Sequence, residues 1–315
     1  MSYQSLQPYF QSKKRSVLTL HINPDPDSIG SNLALAHVLQ QLGHSVSVYS
    51  QDVVSDEFNF LPGFADINIL PAENIPWIDF DIYWALDMAQ ANRMGTENIP
   101  TDLTTLVIDH HESNAVWGAL NITESNQPST SSILTHIFKE LNITIDSKTA
   151  QCLLTGLCGD TGYFQYAVSS EVHEDAAYLI KKGADYAQIT AELVNNIPLP
   201  DLIFMSKALQ RAKLYPEKSC VIIDVPFVMW NAYGESPLKR VFLVRYLSQI
   251  KDTKFGIVLS EEKPGNVRVS MRSHGDAYDV GALAKKLGGG GHVRAAGANL
   301  NMSLEEAIKT VLKAA

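Results

Sequence analysis

The run Ser16-Val17-Leu18-Thr19-Leu20-His21-Ile22-Asn23-Pro24-Asp25-Pro26-Asp27 decides the fold. Its first five residues are apolar and β-branched, the pattern of a short buried strand. A turn rich in carboxylate and imidazole follows at once. Asp27 or Ser28 can cap a helix over Ile29 to Leu42, where Leu33, Ala36, Val38 and Leu39 form an apolar stripe and Gly43 supplies the stop. Val46 to Tyr49 is the next strand. Strand, loop, helix and strand in that order join parallel strands by a crossover, so the expected class is α/β, a parallel sheet with helices on both faces.

Outward from this stretch the same arrangement returns. Ile82 to Leu86 reads as a strand ending in Asp87, and Leu103 to Ile108 as a strand ending in Asp109-His110-His111. A helical, apolar Ala150 to Leu157 delivers Gly159-Asp160-Thr161-Gly162. Three of these four polar clusters follow predicted strands, and the loops after parallel strands converge on one edge of the sheet. Residues as distant as Asp25, Asp87 and His110 are therefore expected to meet. Residues 51–80 are turn-rich and receive only a short helix, and Ser129-Thr130-Ser131-Ser132 leads a helix through Ile133, Leu134, Ile137, Phe138 and Leu141.

A single aspartate at a strand end is ordinarily a turn or capping residue, and a single histidine is ordinarily structural. His37, His44, His136, His173 and His274 are read that way. Four clusters at element ends are better read as one site. Carboxylates with imidazoles and no thiolate suit a hard or borderline divalent ion, with the histidines shifting the preference toward Mn2+. The donors outnumber the needs of one ion, and a pair of ions would share a bridging carboxylate. Two ions about 3.5–4 Å apart clamp the attacking and leaving oxygens at phosphorus and generate hydroxide near neutral pH, so hydrolysis of a phosphoester is the reaction served best.

The C-terminal part reads differently. Asp201 to Leu214 carries Leu202, Met205, Leu209 and Ala212 at helical spacing between Pro198, Pro200 and Pro216, and is read as a helical connection. Strands are expected at Cys220 to Ile223, Phe255 to Leu259 and Val267 to Arg272, with a helix at Val280 to Leu287 and a last one at Leu304 to Leu312. The expected divisions are a catalytic domain over 1–190, a linker over 191–215 and a smaller mixed-sheet α/β domain over 216–315. Gly288 to Gly291 is either a flexible linker or a place where backbone N–H groups approach a phosphate, with His292 and Arg294 adding donors. Arg268 and Arg272 lie four apart on one strand and share a face, open to phosphate, a stacked base or simply solvent.

The composition sets the outer bounds. The 315 residues are 45% apolar, and no run approaches the roughly 20 apolar residues of a membrane span. No basic flank leads from Met1-Ser2-Tyr3-Gln4 into an apolar stretch, and Cys152, Cys158 and Cys220, odd in number and not in close metal-ligand pairs, suit free thiols in a reducing compartment, so a cytoplasmic location without a membrane partner is expected. A net charge of −9 argues against simple electrostatic adhesion to nucleic acid. Its split, −13 over residues 1–215 and +4 over 216–315, fits cations held in the first part and a phosphate-bearing ligand reaching across to the second, and equally a plain fluctuation of surface charge.

With these motifs the sequence resembles the DHH/DHHA1 phosphoesterases, and among them the NrnA-type enzymes, over nearly its whole length. The resemblance implies hydrolysis of short oligoribonucleotides, linear dinucleotides and 3′-phosphoadenosine 5′-phosphate, two Mn2+ ions with Mg2+ or Co2+ as substitutes, and a possible homodimer. It implies that His21, Asp25 and Asp87 hold one ion and that Asp27, Asp87, His110 and Asp160 hold the second, Asp87 bridging. Asp109 would orient a histidine and support His110, and His111 would face the scissile phosphate. The family's glycine-rich signature falls on Gly289-Gly290-Gly291-His292, and His292 with Arg268 or Arg272 would grip the terminal nucleotide. Pro26 stands where a small residue is common, and Met88-Ala89-Gln90 departs from the usual segment. The alternatives are a related inorganic pyrophosphatase, which lacks the glycine–histidine signature, a RecJ-like single-strand exonuclease, whose chains are larger, and a non-catalytic nucleotide sensor.

Overall fold

The computed structural model describes residues 3–96, 98–112, 114–165, 169–233, 243–244, 246–247 and 249–315. Contacts divide the chain into two units, Met1–Asn196 and Ile197–Ala315. The first unit is built on six strands, β1 (Arg15–Thr19), β2 (Ser45–Ser50), β3 (Ile67–Ile69), β4 (Ile82–Leu86), β5 (Thr104–Asp109) and β6 (Leu120–Thr123). Their order is β3-β2-β1-β4-β5-β6, and every neighbouring pair is parallel. The α-helices of this unit are α1 (Gln7–Gln11), α2 (Pro26–Gln41), α3 (Thr130–Glu140), α4 (Ser147–Asp160), α5 (Ser170–Lys181) and α6 (Tyr186–Leu193).

The strand alternation explains the layers. Leu18, Trp84, Leu86, Leu106 and Ile108 join a core with Ile29, Leu33, Ile133 and Leu153 of α2, α3 and α4. Val17, Tyr83, Ala85 and Val107 point into a second core with Trp77, Met88, Met94 and Leu103, under shorter 3-10 turns at Trp77–Asp79 and Ala91–Met94. Sheets buried on both faces need apolar residues at every position, as Ile82–Leu86 shows. Each large side chain fully buried in this way contributes about 1.5–3 kcal/mol.

Two local readings change. Helix α2 starts at Pro26, and Asp25, not Asp27 or Ser28, is its N-cap, with its Oδ1 accepting from the N–H of Asp27 at 3.1 Å and of Ser28 at 3.0 Å. Proline suits that first helical position because its fixed φ is preorganised and its missing N–H has no intrahelical partner to lose. The edge strands β3 and β6 were not expected, because three or four half-exposed residues carry too little periodicity to register.

The second unit contains α7 (Leu199–Leu209), β7 (Lys213–Tyr215), β8 (Cys220–Val225), α8 (Phe227–Tyr233), β9 (Phe255–Lys263), β10 (Asn266–Ser273), α9 (Val280–Lys286), β11 (Gly290–Gly291), β12 (Ala295–Leu300) and α10 (Leu304–Ala314). Its sheet runs β11-β12-β10-β9-β8-β7, with only β8 and β9 parallel. The helix expected to reach Leu214 stops at Leu209, and the chain turns into β7 to pair with β8, gaining ladder hydrogen bonds that a longer helix would forgo. Phe204, Met205 and Ala208 of α7 pack with Ile223, Val225 and Trp230 in this unit's core. Among the described residues no helix is long and apolar enough to cross a membrane.

Candidate metal centre

In a doubly wound sheet the strand order reverses at one point, here between β1 and β4, and ligands collect beyond the carboxyl ends of the strands there. His21 and Asp25 follow β1, Asp87 follows β4, Asp109 ends β5, and His110 and His111 come next. Asp87 adopts a left-handed backbone, φ 59°, one residue beyond β4. Asp pays less than most residues for that conformation, and the turn fixes where its carboxylate leaves the strand.

The two oxygens of Asp87 face different histidines. Oδ2 is 3.4 Å from His21 Nε2, and Oδ1 is 3.4 Å from His110 Nε2. Asp25 Oδ2 stands 3.5 Å from His21 Nε2, and Asp160 Oδ2 stands 3.2 Å from His110 Nε2. Donor atoms of His21, Asp25 and Asp87 lie within 4.8 Å of one another, as do those of Asp27, His110 and Asp160, and those of Asp87, His110 and His111. The structure thus brings together all six residues expected to ligate metal.

The floor of this centre is buried and its rim is open. Asp27 is 0% exposed and Asp87 2%, whereas the Asp25 side chain is 48% exposed. Asp27 is held by the N-terminus of α3, accepting from the backbone N–H of Thr130 at 2.7 Å and of Ser131 at 3.0 Å, and Thr130 Oγ1 donates to Asp87 at 3.4 Å. Gly156 of α4 makes the space: a Cβ there would stand 2.6 Å from Asp27 Oδ1 and 2.1 Å from Ser131 Oγ. Gly159 does the same for Pro26, whose Cβ would be met at 2.5 Å. The substitution of proline for a small residue is matched by a glycine across from it.

The charges are strongly coupled. Burial and then the charge of Asp87 push the Asp27 carboxyl up to about 7. Asp160 is also pushed well above the usual range, first by burial and then by Asp27, Asp25 and Asp87. Burial alone would raise Asp87, but hydrogen bonds from His110 and His21 outweigh it and hold its carboxyl below the usual range. Burial opposes charge on the two imidazoles, yet Asp25 and Asp87 bring His21 up to about 10, and Asp87 chiefly brings His110 up to about 9. Among the described residues no lysine or arginine forms an ion pair with Asp25, Asp27, Asp87 or Asp160. Crowded carboxylates without a fixed cation, fronted by imidazoles and free of thiolate, form a donor set that fits divalent metal ions.

Asp109 does a different job. Buried completely, it takes the His110 backbone N–H at 2.9 Å and His111 Nδ1 at 2.7 Å on Oδ1, and Asn114 Nδ2 at 2.6 Å on Oδ2. Its ring partner is therefore His111, and its hold on His110 is through the backbone. Thr130, Ser131, Gly156 and Asn114 were missed as site residues. The run Ser129–Ser132 signals only a helix start, and nothing local ties it to Asp27.

In the second unit, Arg268 and Arg272 alternate with buried Val267, Val269 and Met271, so both lie on the opposite sheet face. Ser270 between them pairs with Gly297, which pairs with Gly290, so the arginines and Gly290 share that face. The run is not a free linker: a Cβ on Gly289 would stand 2.1 Å from Gly297 O, and one on Gly291 2.5 Å from Ala295 O. His292 is exposed at the turn from β11 to β12, its N–H donating to Ala295 O at 2.8 Å. Arg294 is committed to a two-pronged pair with Asp276, at 2.7 and 2.8 Å.

A doubly wound sheet with paired carboxylate–imidazole sets at its switch point, joined in one chain to a mixed-sheet unit, defines a class of two-unit α/β proteins with a metal-type centre. The chain belongs to the DHH/DHHA1 phosphoesterase family: the DHH family N-terminal domain matches residues 15–157 and the DHHA1 domain residues 240–315. It is 30% identical over 300 residues to the bifunctional oligoribonuclease and PAP phosphatase NrnA of Thermus thermophilus, covering 94% of this chain and 88% of that protein. The NrnA of Bacillus subtilis is 23% identical, with 90% and 88% covered. The crystal structure of an exopolyphosphatase-related protein from Bacteroides fragilis has the same fold, with TM-score 0.92, 24% identity and coverage of 99% of this chain and 94% of that one.

Proposed function

We propose that the protein is a Mn2+-dependent phosphoesterase that hydrolyses short oligoribonucleotides, linear dinucleotides and 3′-phosphoadenosine 5′-phosphate. The observation that carries the reading is the Asp87 carboxylate, with its two oxygens 3.4 Å from His21 and from His110, so that one side chain serves two ligand sets. His21, Asp25 and Asp87 would hold one ion, and Asp27, Asp87, His110 and Asp160 the other. Divalent ions bound there supply Lewis acidity toward a phosphoryl group and lower the pKa of water.

The remaining roles belong to the chain itself. With Nδ1 bonded to Asp109, the His111 ring offers Nε2 to a phosphate oxygen, and Asp109 stabilises the ring when it carries charge. Residues 1–190 would thus perform the chemistry and residues 216–315 recognise the nucleotide, through Arg268, Arg272, the Gly289–Gly291 backbone and His292. The likeness to the Thermus NrnA supports the substrate class, and the DHHA1 match favours it over a pyrophosphatase.

The test is a panel with Mn2+: 3′-phosphoadenosine 5′-phosphate, di- to pentaribonucleotides, linear dinucleotides, a long single strand and pyrophosphate. Turnover of the first three groups is expected. Turnover of pyrophosphate alone, or of long strands alone, would transfer the protein to those activities, and tight binding without turnover would make it a sensor. His111→Ala should lose about 100-fold in kcat while retaining both Mn2+ ions in a calorimetric titration.

A further inference from the structure

We propose that Arg93 is a phosphate-binding residue of this centre, gripping a non-bridging oxygen of the substrate's phosphoryl group on the His21 side; the proposal rests on the phosphoesterase reading above. Arg93 lies in the 3-10 turn Ala91–Met94, a few residues beyond Asp87. The turn is fixed from both sides. The Arg93 carbonyl accepts from the Ile22 N–H at 2.7 Å, next to His21, and the neighbouring Met94 is buried. Arg93 Nη2 stands 3.3 Å from His21 Nδ1.

That contact cannot be a hydrogen bond in the form of His21 that ligates metal. Nδ1 is also 3.0 Å from the Ile22 carbonyl, which only accepts, while Nε2 faces Asp25 and Asp87. With Nε2 as ligand atom, the proton sits on Nδ1 and goes to Ile22, so Arg93 has no acceptor there. If Arg93 donates to Nδ1 instead, Nε2 carries the proton and cannot ligate. A His21 that ligates through Nε2, like a fully protonated one, would offer Arg93 no acceptor, which leaves the guanidinium open to another anion.

The charge has no other outlet in the described structure. The first unit has two arginines, Arg15 and Arg93. Arg15 is paired with Asp81, whereas Arg93 has no carboxylate partner among the described residues. A guanidinium beside a divalent centre is repelled unless an anion lies between them, and its planar fork matches phosphate oxygens. An anion that both the ions and an arginine bind is the phosphoryl group itself.

The experiment measures three quantities on wild type, Arg93→Ala and Arg93→Lys: Mn2+ binding by calorimetry, inorganic phosphate binding to the Mn2+-loaded protein, and KM for 3′-phosphoadenosine 5′-phosphate. Arg93→Ala is expected to weaken phosphate and raise KM by about 10-fold to 100-fold, with Mn2+ affinity within about twofold of wild type. Arg93→Lys, which keeps the charge if the alanine variant fails to fold, should recover part of the phosphate affinity. Unchanged phosphate binding in Arg93→Ala overturns the proposal, as does a loss of Mn2+ affinity equal to the loss of phosphate, which would make Arg93 a positioning residue for His21. Wild-type protein that binds Mn2+ but neither phosphate nor any phosphoester overturns the phosphoesterase reading as well, whereas active wild type with an indifferent Arg93→Ala overturns this inference alone.

Discussion

Two buried carboxylate groups in the first unit have opposite environments. Asp175 of α5 is 2% exposed, and the chain neutralises it with Lys139 Nζ at 2.6 Å, His136 Nε2 at 2.7 Å and Ser132 Oγ at 2.9 Å. Burial raises its carboxyl, but hydrogen bonds from His136 and Lys139 outweigh that and hold it below the usual range. Asp27 is buried as deeply, yet has backbone N–H groups and no lysine or arginine partner among the described residues, and it is pushed up to about 7. The same residue type at the same depth is structural where the chain supplies the cation. We read it as a ligand site where the chain supplies no lysine or arginine and the cation would come from outside.

Removing one member from each group breaks or sharpens that contrast most strongly. Asp87→Ala should abolish Mn2+ binding at both sets and lower turnover by at least about 1,000-fold, because several kcal/mol of transition-state stabilisation go with the ions. Asp175→Asn should leave Mn2+ affinity within about twofold and cost about 2 kcal/mol of stability, the pair being discounted for the partly exposed Lys139 and His136. The sign of its pH dependence follows from the depressed pKa. The stabilisation is present above the unfolded aspartate value of about 3.9 and is lost as pH falls through the lower folded value. The stability difference between wild type and Asp175→Asn should therefore shrink toward pH 3 in denaturant titrations. A Mn2+ affinity that falls as far in Asp175→Asn as in Asp87→Ala would erase the distinction.

Protons sharpen the contrast next. His21 at about 10 and His110 at about 9 carry their protons at pH 7 when no ion competes, and an imidazole must be neutral to ligate. The ion at His21 should displace about one proton, and the ion at His110 more than one because Asp27 and Asp160 are also raised, so affinity should fall at least about tenfold per pH unit between pH 8 and 6. Calorimetric titration with Mn2+ in buffers of different ionisation enthalpy reads the release directly. Heats that do not depend on the buffer would mean that the histidines are not ligands.

How much of this was legible in the sequence follows from the range of each contact. The apolar strands ending in Asp87 and in Asp109-His110-His111 were visible, because burial on both faces writes itself into consecutive residues, and the convergence of strand ends supplies the meeting point. The cap at Asp25 was displaced by two or three positions, because several consecutive polar residues qualify locally and only the proline at the first helical position decides among them. Thr130 and Ser131 could not be seen as partners of Asp27, which lies more than 100 residues away, and Gly156 looks like an ordinary helix residue until the carboxylate it admits is placed beside it. The glycine run offered a linker or a phosphate cradle. The pairing of β11 with β12 adds a steric reason for Gly289 and Gly291, and leaves Gly290 with nothing within 4 Å of a built Cβ.

The smallest expected effect concerns Asp109, which like Asp175 is satisfied from within the chain but sits at the edge of the centre. Its Oδ2 accepts from Asn114, in the loop after His111, and its Oδ1 holds the His111 ring. Asn114→Ala removes one donor from a fully buried carboxylate without touching any proposed metal ligand. The His111 ring should lose orientation, so kcat should fall about tenfold while Mn2+ binding is unchanged. Asn114→Asp separates geometry from charge, since it keeps the shape but sets a second carboxylate against Asp109 and should be worse than alanine. If both variants instead weaken Mn2+ binding, Asp109 acts through His110, whose backbone N–H it also accepts, and the division of labour between the two histidines is the other way round.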